Sequence, residues 1–443
     1  MKLKLIAINF LQFAIWGAYL TSQGVYLSSV GMGANIGNYY AIQGVISCFM
    51  PALIGIIADR WVQAQKVYGI CHLISAMAMI ATGVYGMKFG ADASPGIVFA
   101  LYTLAIMFYM PTIALSYSVS YTALESAGMD TVKSFPPIRV WGTVGFILSM
   151  WTVNILRVDW FGLEWAVNAT ASFQNTPMQY AFSGLLGVVL GFYAFTMPAC
   201  PVSKGSSKSF VDALGLKAFT LFKDYRMALF FIFSMLLGMA LQVTNGFANP
   251  FISSFGQIAE YAGSLGVKYS NILISISQIS ETLCILLIPF CLRKWGIKRV
   301  MMLAMLAWVF RFGLFAVGNP GSGVWLLLLS MIVYGVAFDF FNISGSLFVN
   351  ENTDESIRSS AQGLLMLMSN GLGAAIGTKI AQAVVNAKVP ADLPLEANGF
   401  LSEANAAALQ SGWSTAWFIF AAYALVVLLL FTFLFKYKHI PQK

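Results

Sequence analysis

The sequence GIIADRW, from Gly55 to Trp61, contains the end of an apolar stretch at residues 37–58 and the short connection with a basic residue that follows it. A second short basic connection, LRKWGIKR from Leu292 to Arg299, follows the apolar stretch at residues 270–291. The two connections occupy the same place if the chain consists of two halves, each with six apolar stretches. This weak internal similarity predicts two parallel halves with the same order of elements.

The composition excludes an ordinary soluble protein. Of the 443 residues, 59% are hydrophobic, 15% are aromatic and only 9% are charged, whereas globular chains carry about 25% charged residues. A chain this apolar uses lipid as its solvent, which excludes nucleic-acid binders, secreted disulfide scaffolds and cytosolic enzymes. The five cysteines lack paired spacing and the two histidines are too few for a zinc or bis-histidine haem centre, so we expect no metal and no cofactor.

Twelve stretches are long enough to cross a bilayer, which requires about 20 apolar residues each. The first contains Gln12 and Trp16 and lacks an Ala-x-Ala-like cleavage site, so it predicts a span rather than a signal peptide. The sequence therefore predicts an all-α membrane protein with spans at residues 5–27, 37–58, 67–87, 97–121, 137–156, 179–198, 227–252, 270–291, 299–317, 323–349, 360–386 and 412–435.

The basic residues predict the orientation of these spans. Most of the 25 Lys and Arg residues fall on the side that carries both termini. The opposite side holds only Lys88, Arg157, Lys268 and Lys388. Because Lys and Arg concentrate in cytoplasmic connections, both termini are predicted to be cytoplasmic. The same rule accounts for the net charge of +8 without a nucleic-acid partner.

The longest cytoplasmic connection divides the spans six and six. It covers residues 199–226 and combines Pro, Gly and Ser with five basic residues. We therefore predict an N-terminal six-helix half at residues 1–198, a central cytoplasmic loop at 199–226 and a C-terminal six-helix half at 227–443. Parallel six-span halves about an axis along the membrane normal are the arrangement of the major facilitator superfamily. The spacing of Gly55, Asp59 and Arg60 resembles the loop signature of that superfamily.

Apart from Arg299, which also belongs to the basic connection Leu292–Arg299, five charged residues remain within the predicted spans. A charge at the bilayer centre costs roughly 2.5 to 3.5 kcal/mol on insertion scales, so such residues are functional candidates by default. Other roles are open for three of them. Arg139 could extend to the cytoplasmic interface, and Arg311 could pair helices. Lys379 could reach the outer headgroups. The two acids in the set are Glu281 and Asp339.

Polar residues three or four apart share a helix face, and four spans carry such faces. The amides could instead bond to a neighbouring helix, and the aromatic rings could serve packing alone. Together, however, they favour a binding cavity. The faces are formed by Arg139 and Thr143 in span 5, Gln242 and Asn245 in span 7, Gln278 and Glu281 in span 8, and Tyr334, Phe338 and Asn342 beside Asp339 in span 10.

These side chains suit a neutral solute with many hydroxyl groups and one flat face. Amides and carboxylates bond to hydroxyls and heterocycle edges, while an aromatic ring stacks on a base for roughly 1 to 3 kcal/mol. One arginine is too few to bind a phosphate group. The chain has no Walker A sequence, so a gradient must supply the energy. A buried carboxylic acid favours its protonated form, which makes Asp339 and Glu281 the available proton carriers.

Several long strings resemble the bacterial nucleoside:proton symporter family of the major facilitator superfamily. The resemblance covers nearly the whole chain in the same order, apart from the central loop and the outer loops at about 157–178, 254–268 and 388–411. The matching strings are MPALIGIIADRW (50–61), AGMD (127–130), FPPIRVWGTVGFI (135–147), FFIFSMLLG (230–238), SISQISETL (275–283), MIVYGVAFDFFNISGS (331–346) and FKYKH (435–439).

This resemblance implies a proton-coupled importer of purine and pyrimidine nucleosides in an inner membrane. It implies that Asp339 couples transport to protons and that Phe338 stacks on the base. Lys379 and the Thr244–Gly246 segment depart from the family pattern, which leaves base preference open. The substrate-binding residues that the resemblance implies are Arg139, Thr143, Phe146, Gln242, Asn245, Gln278, Glu281, Tyr334 and Phe338.

A sugar symporter and a membrane-embedded enzyme or receptor are the two alternatives to a nucleoside importer. A proton-linked sugar or oligosaccharide symporter of the same fold would also use a polar face, but the aromatic pair and the matched strings disfavour it. A membrane-embedded enzyme or receptor would need a reactive side-chain set or a soluble domain, and the sequence contains neither. The expected partners are therefore a nucleoside, protons and the lipid bilayer, and we expect the transporter to be a monomer.

Overall fold

A computed structural model describes residues 1–159, 162–165, 172–202 and 216–437. The chain divides into two compact units, which we call the N-terminal unit (residues 1–214) and the C-terminal unit (residues 215–443). Apart from one two-stranded hairpin and an isolated bridge, the secondary structure of the described residues is helical. The prediction of an all-α protein is thus confirmed for its main elements.

The N-terminal unit contains seven described α-helices and the hairpin. The hairpin pairs β1 (Leu156–Asp159) with β2 (Gly162–Trp165) in an antiparallel register, within a loop for which the sequence predicted no strands. Helix α1 packs on α6 and α4 packs on α7 and α5. The helices are α1 (Lys2–Gly17), α2 (Gln23–Ser29), α3 (Ile36–Arg60), α4 (Ala64–Phe89), α5 (Pro95–Ser126), α6 (Thr131–Ile155) and α7 (Met178–Ala194).

The C-terminal unit contains nine described α-helices and one π-helical segment, Leu367–Gly373. Helix α13 packs on both α11 and α12, while α12 also packs on α16. The helices are α8 (Tyr225–Ser254), α9 (Ala259–Ala262), α10 (Leu265–Lys268), α11 (Ser270–Ile285), α12 (Ile288–Val317), α13 (Val324–Glu351), α14 (Glu355–Met366), α15 (Ala374–Lys388) and α16 (Glu403–Leu434).

Within the described residues, nine helical segments are long and apolar enough to cross a membrane. Three predicted spans fall below that length in the structure. The span predicted at 5–27 is broken between α1 and α2, where Ser22 donates a hydrogen bond to Gln179 Oε1 at 2.9 Å. Helices α7 and α11 contain only 17 and 16 residues.

The connection predicted at residues 292–298 lies within α12. The backbone departs from helical geometry at one residue, Gly296, whose φ of 75° belongs to the left-handed region that glycine adopts readily. The chain therefore turns at this point with very little intervening loop.

Large apolar side chains face outward on both units. Phe192, Leu286 and Phe433 are each more than half exposed, whereas amide and hydroxyl groups such as those of Gln12, Asn249 and Ser277 are buried. This distribution is the reverse of a soluble protein, and it is expected where lipid surrounds the helices and polar groups must find partners inside.

Candidate functional site

Arg139 lies on α6 of the N-terminal unit and is directed toward α1 and α5. Its guanidinium carbon is 3.9 Å from the centre of the Phe13 ring. Its Nε donates a hydrogen bond to the hydroxyl of Tyr117 at 3.0 Å. An arginine that extended to the membrane surface would not make both contacts, so this geometry favours a role inside the unit for Arg139.

Helices α1 and α6 approach closely beside Thr143 and Phe146. A Cβ atom at Gly145 would overlap the backbone of Phe10, so only glycine fits at this crossing. Close approach at small residues is the usual way in which membrane helices pack. As a result, Phe146 is 9% exposed and lies edge-on to Trp16, with ring centres 6.4 Å apart. Thr143 is partly buried one turn earlier.

A buried hydrogen-bond network surrounds Gln12 in the same unit. Gln12 Oε1 accepts from the Tyr68 hydroxyl at 2.7 Å and lies 2.9 Å from Nε2 of His72. Gln12 Nε2 donates to the Thr112 hydroxyl at 2.9 Å, and the Tyr109 hydroxyl donates to the backbone carbonyl of Gln12 at 2.6 Å. One amide thus connects α1, α4 and α5. The sequence marked Gln12 only as a polar interruption of the first span.

One of the two histidines of the chain, His72, lies on α4. The structure places it in this network, 1% exposed, with one nitrogen bonded and with Nδ1 lacking a partner among the described residues. Its ring lies 4.6 Å from that of Tyr68 at nearly a right angle. The contacts are those of a packed side chain within an aromatic cluster.

Helix α13 of the C-terminal unit carries a stacked aromatic pair. The rings of Tyr334 and Phe338 are 5.9 Å apart and only 6° from parallel. Trp308 of α12 meets Tyr334 edge-on at 5.9 Å. Tyr334 is 4% exposed and Phe338 is partly exposed. The Phe338 ring can therefore contact a ligand, while the buried Tyr334 ring packs against the Phe338 ring and supports it.

Helix α11 places Glu281 within electrostatic reach of Tyr334, and Gln278 precedes Glu281 by about one turn on the same helix. A Cβ at Gly335 of α13 would lie 2.6 Å from the carbonyl oxygen of Ser280, so the two helices touch where glycine stands. The Ser280 hydroxyl also donates to the carbonyl of Ile332. Gln278 and Glu281 are partly buried, and Gln278 Oε1 has no hydrogen-bond partner among the described residues.

Asp339 adjoins Phe338 on α13 and is 4% exposed. Its Oδ2 lacks a hydrogen-bond partner within the part of the chain that the structure describes. Glu281 is close enough to interact electrostatically with this carboxyl group. An unpaired carboxyl oxygen can take up a proton without breaking an existing hydrogen bond.

Gln242 and Asn245 contact each other on α8. The Asn245 amide nitrogen is 3.4 Å from Gln242 Oε1. Gln242 is 7% exposed, and Asn245 is partly buried. The i, i+3 spacing therefore places both amides on one face, as the sequence indicated.

Arg311 is a residue for which the sequence favoured a structural role. It is 2% exposed on α12, and its Nη1 donates to the Ser330 carbonyl at 2.9 Å and lies 3.3 Å from the Ser277 hydroxyl. Its guanidinium carbon lies 4.4 Å from the centre of the Tyr334 ring. Arg311 thus joins α11 and α13 behind the aromatic pair. The signal that pointed to it was its charge at membrane depth.

A small cavity of about 30 Å³ opens beside Phe338. Part of its wall comes from the π-helical segment, a type of irregularity that is frequent at functional sites. The sequence noted only one of its polar residues, Asn342, and did not include it among the site residues. Ser234, Ser369 and Asn370 stand within apolar spans, and the last two of these come just before Gly371. The polar residues that line the cavity are Ser234, Asn342, Ser369 and Asn370.

The predicted residues therefore form two sets, each within one unit. Arg139, Thr143 and Phe146 share one face of α6. The second set occupies α8, α11 and α13 and comprises Gln242, Asn245, Gln278, Glu281, Tyr334, Phe338 and Asp339. Lys379 lies on the exposed surface of α15. Among the described residues, no group of three or more His, Cys, Asp or Glu side chains could hold a metal ion.

The sequence comparisons agree with the resemblance seen in the motifs. Residues 1–440 match the family model described as nucleoside H+ symporter. The chain is 44% identical to the xanthosine permease of Escherichia coli (strain K12), over 100% of this chain and 97% of the relative. It is 43% identical to the nucleoside permease NupG of the same strain, over 99% of this chain and 97% of the relative.

Solved structures extend this likeness to the fold. A crystal structure of the nucleoside transporter NupG superposes with a TM-score of 0.84 at 43% identity, covering 99% of both chains. A D-xylose–proton symporter superposes with a TM-score of 0.65 at 13% identity, over 97% of this chain and 96% of the other. The second match shows a shared fold alone. The prediction of a transporter rather than an enzyme is confirmed, and the chain belongs to the nucleoside H+ symporter family.

Proposed function

We propose that this chain imports purine and pyrimidine nucleosides together with protons across a bacterial inner membrane by alternating access. The family match and the names of the two Escherichia coli relatives support this substrate class. The observation that carries the proposal is the stacked pair of Tyr334 and Phe338 beside the buried Asp339. One helix thereby offers a flat face for a base and an acid that can carry a proton.

The hydrogen-bonding groups around this pair suit a nucleoside. Buried amides and a carboxylate can bond to ribose hydroxyls or to the edges of the base. In the N-terminal unit, Arg139, Thr143 and Phe146 also contact the substrate in our proposal, with Phe146 held by Trp16. The four C-terminal residues that we assign to ribose or base edges are Gln242, Asn245, Gln278 and Glu281.

Asp339 is the proton carrier in this proposal. The buried carboxyl group has an unpaired oxygen among the described residues, and Glu281 is its electrostatic neighbour. Two acids close together in a buried site resist simultaneous ionisation. A proton held on this pair therefore responds to any substrate contact with Glu281, which links nucleoside binding to proton binding.

The membrane arrangement is also part of the proposal. We propose twelve spans with both termini in the cytoplasm, halves at residues 1–198 and 227–443, a central loop at 199–226 and a monomeric transporter. The excess of Lys and Arg on the side of the termini supports this orientation. A C-terminal green fluorescent protein fusion is expected to fluoresce, and a C-terminal alkaline phosphatase fusion is expected to be inactive. An active phosphatase fusion would reverse the orientation.

Uridine uptake into proteoliposomes, with and without a proton-motive force, tests the function. We expect accumulation only when the proton gradient is directed inward. A driving force of about 100 mV supplies roughly 2.3 kcal/mol per proton, or about fifty-fold accumulation of a neutral solute. Absence of uptake of every nucleoside by folded protein would refute the substrate assignment. If excess sugar competed with uridine, the alternative sugar or oligosaccharide symporter would be favoured.

A further inference from the structure

An open groove lies between α12 and α16 of the C-terminal unit, away from the residues described above. Its volume is about 460 Å³. The apolar part of its wall is formed by Met302, Leu303, Leu306 and Leu428. The groove extends about 10 Å along α12 from Arg299 to Leu306, at 1.5 Å per residue. Because α12 is a candidate membrane span, this part of the groove faces the acyl region of the bilayer.

The other end of the groove is polar and basic. Arg299 and Trp295 complete its lining. Arg299 is exposed, and it has no hydrogen-bond or ion-pair partner among the described residues. Trp295 is 37% exposed, and tryptophan favours the level of the lipid headgroups. The groove therefore has a cationic end and an apolar end, which is the polarity of a phospholipid.

The charges that the two groove helices carry at this end are all of one sign. Arg293, Lys294 and Lys298 adjoin Arg299 in the sequence, and no acidic residue stands between Glu281 and Asp339. On α16 the chain has no acidic residue after Glu403. Neither helix that forms the groove can therefore neutralise its basic end.

One of these basic residues also holds the two walls together. The Lys298 ammonium group donates to the Thr432 carbonyl of α16 at 3.2 Å. The groove is therefore part of the packed contact between α12 and α16. The break at Gly296 separates Trp295 from Arg299 and allows both side chains to line the same end of the groove.

We propose that this groove binds one anionic phospholipid, with an acyl chain along Met302, Leu303, Leu306 and Leu428 and the phosphate at Arg299. Charge complementarity selects the headgroup, since basic pockets between membrane helices attract anionic lipids and each Lys or Arg near the surface contributes about a fivefold gain in affinity. The apolar wall selects a lipid rather than a free anion.

Native mass spectrometry of the purified full chain tests this site. The protein is titrated with phosphatidylglycerol or with phosphatidylcholine that has the same acyl chains. We expect one saturable phosphatidylglycerol site with an affinity at least about fivefold higher than that for phosphatidylcholine. Arg299→Gln is expected to remove this preference. The matched control is Arg226→Gln, because Arg226 is an exposed arginine of the same unit that does not line the groove. Equal binding of the two lipids, or loss of the preference in the control alone, would overturn the proposal.

A second pair of measurements tests the acyl-chain end and the rival occupants. Leu306→Trp fills the groove and is expected to reduce phosphatidylglycerol binding while the melting temperature stays near that of the parent; Leu428→Trp does the same from the other wall if the first variant fails to fold. Unchanged lipid binding in the folded variant would contradict the groove as the site. Excess inorganic phosphate should not compete, and competition would indicate a bare anion site. Release of a bound second copy on adding lipid would indicate a protein interface instead.

Discussion

The guanidinium carbon of Arg311 lies 4.4 Å from the centre of the Tyr334 ring, and Tyr334 in turn stacks on Phe338 at 6°. Arg311 belongs to α12, whereas both rings belong to α13. A cation against an aromatic face is worth about 2 kcal/mol or more when both are removed from water. The arginine therefore fixes the ring that supports the proposed base-binding face.

Replacing Arg311 with methionine should weaken nucleoside binding, although Arg311 itself is not one of the residues proposed to contact the nucleoside. We expect the uridine dissociation constant of Arg311→Met to rise about tenfold. The substitution removes the cation–π contact that orients Tyr334, and a loss of about 1.4 kcal/mol in binding free energy corresponds to this factor. Arg311→Lys keeps a cation and should fall between the parent and the methionine variant. Isothermal titration of detergent-purified protein measures these constants.

A double-mutant cycle separates this role from general stabilisation. In a Tyr334→Leu background the ring is gone, so Arg311→Met should have little further effect on the dissociation constant. Additive effects of the two substitutions on binding would contradict the proposed support of Tyr334 by Arg311.

Asp339→Asn should uncouple transport from protons. The side chain keeps its size and its buried position but loses the carboxyl oxygen that takes up a proton. We expect loss of concentrative uridine uptake, with binding or exchange partly retained. Glu281→Gln is the matched variant, and it should weaken uridine binding while leaving some pH dependence. Concentrative uptake at the parental rate by Asp339→Asn would exclude the coupling role.

Phe338→Leu should discriminate a base from a sugar. Leucine keeps most of the apolar volume but cannot stack, and stacking on one base is worth roughly 1 to 3 kcal/mol. We expect uridine affinity to fall at least about fivefold and the weak competition by free ribose to stay nearly constant. Competition binding with labelled uridine measures both. Equal losses for uridine and ribose would show that the ring packs the site and does not stack on the base.

Helix periodicity predicted those parts of the candidate site that depend on one helix. Gln242 and Asn245, three residues apart, touch on α8, and Tyr334 and Phe338, four residues apart, stack on α13. Such contacts follow from 3.6 residues per turn, whatever the rest of the fold does. The family resemblance, which the comparisons confirm, rested in part on a string that contains Tyr334 and Phe338.

Helix periodicity did not predict the contacts between different helices. The position of Arg311 over Tyr334 depends on the register of α12 against α13, which no periodicity of either helix determines. The break between α1 and α2 and the π-helical segment also depend on tertiary partners, such as Gln179 for Ser22. Composition identified these stretches as apolar, and it could not show where their backbone departs from a regular helix.

Gln12→Leu should destabilise the N-terminal unit. The leucine fills the space but leaves Tyr68, His72 and Thr112 without the amide that joins them. Each buried polar group that loses its partner costs about 1 to 3 kcal/mol. We expect a clear fall in melting temperature by differential scanning fluorimetry, larger than that of Tyr68→Phe, which removes one donor from the network. A smaller effect for Gln12→Leu than for Tyr68→Phe would contradict the central place of Gln12.

Gly335→Ala tests whether the contact between α11 and α13 positions the nucleoside-binding residues. The new methyl group would meet the Ser280 carbonyl at 2.6 Å, so the backbones must separate. Overpacking of this kind costs about 1 to 3 kcal/mol. It should also shift Gln278 and Glu281 away from Tyr334 and Phe338, so we expect a lower melting temperature and weaker uridine binding. Gly313→Ala on α12 is the matched control, because no atom beyond its own stretch of helix backbone lies within 4 Å of the position that its Cβ would occupy. Alanine favours helix over glycine by up to about 1 kcal/mol, so the control should keep or slightly raise stability and bind uridine normally. Equal behaviour of the two variants would mean that the close approach at Gly335 is not required for binding.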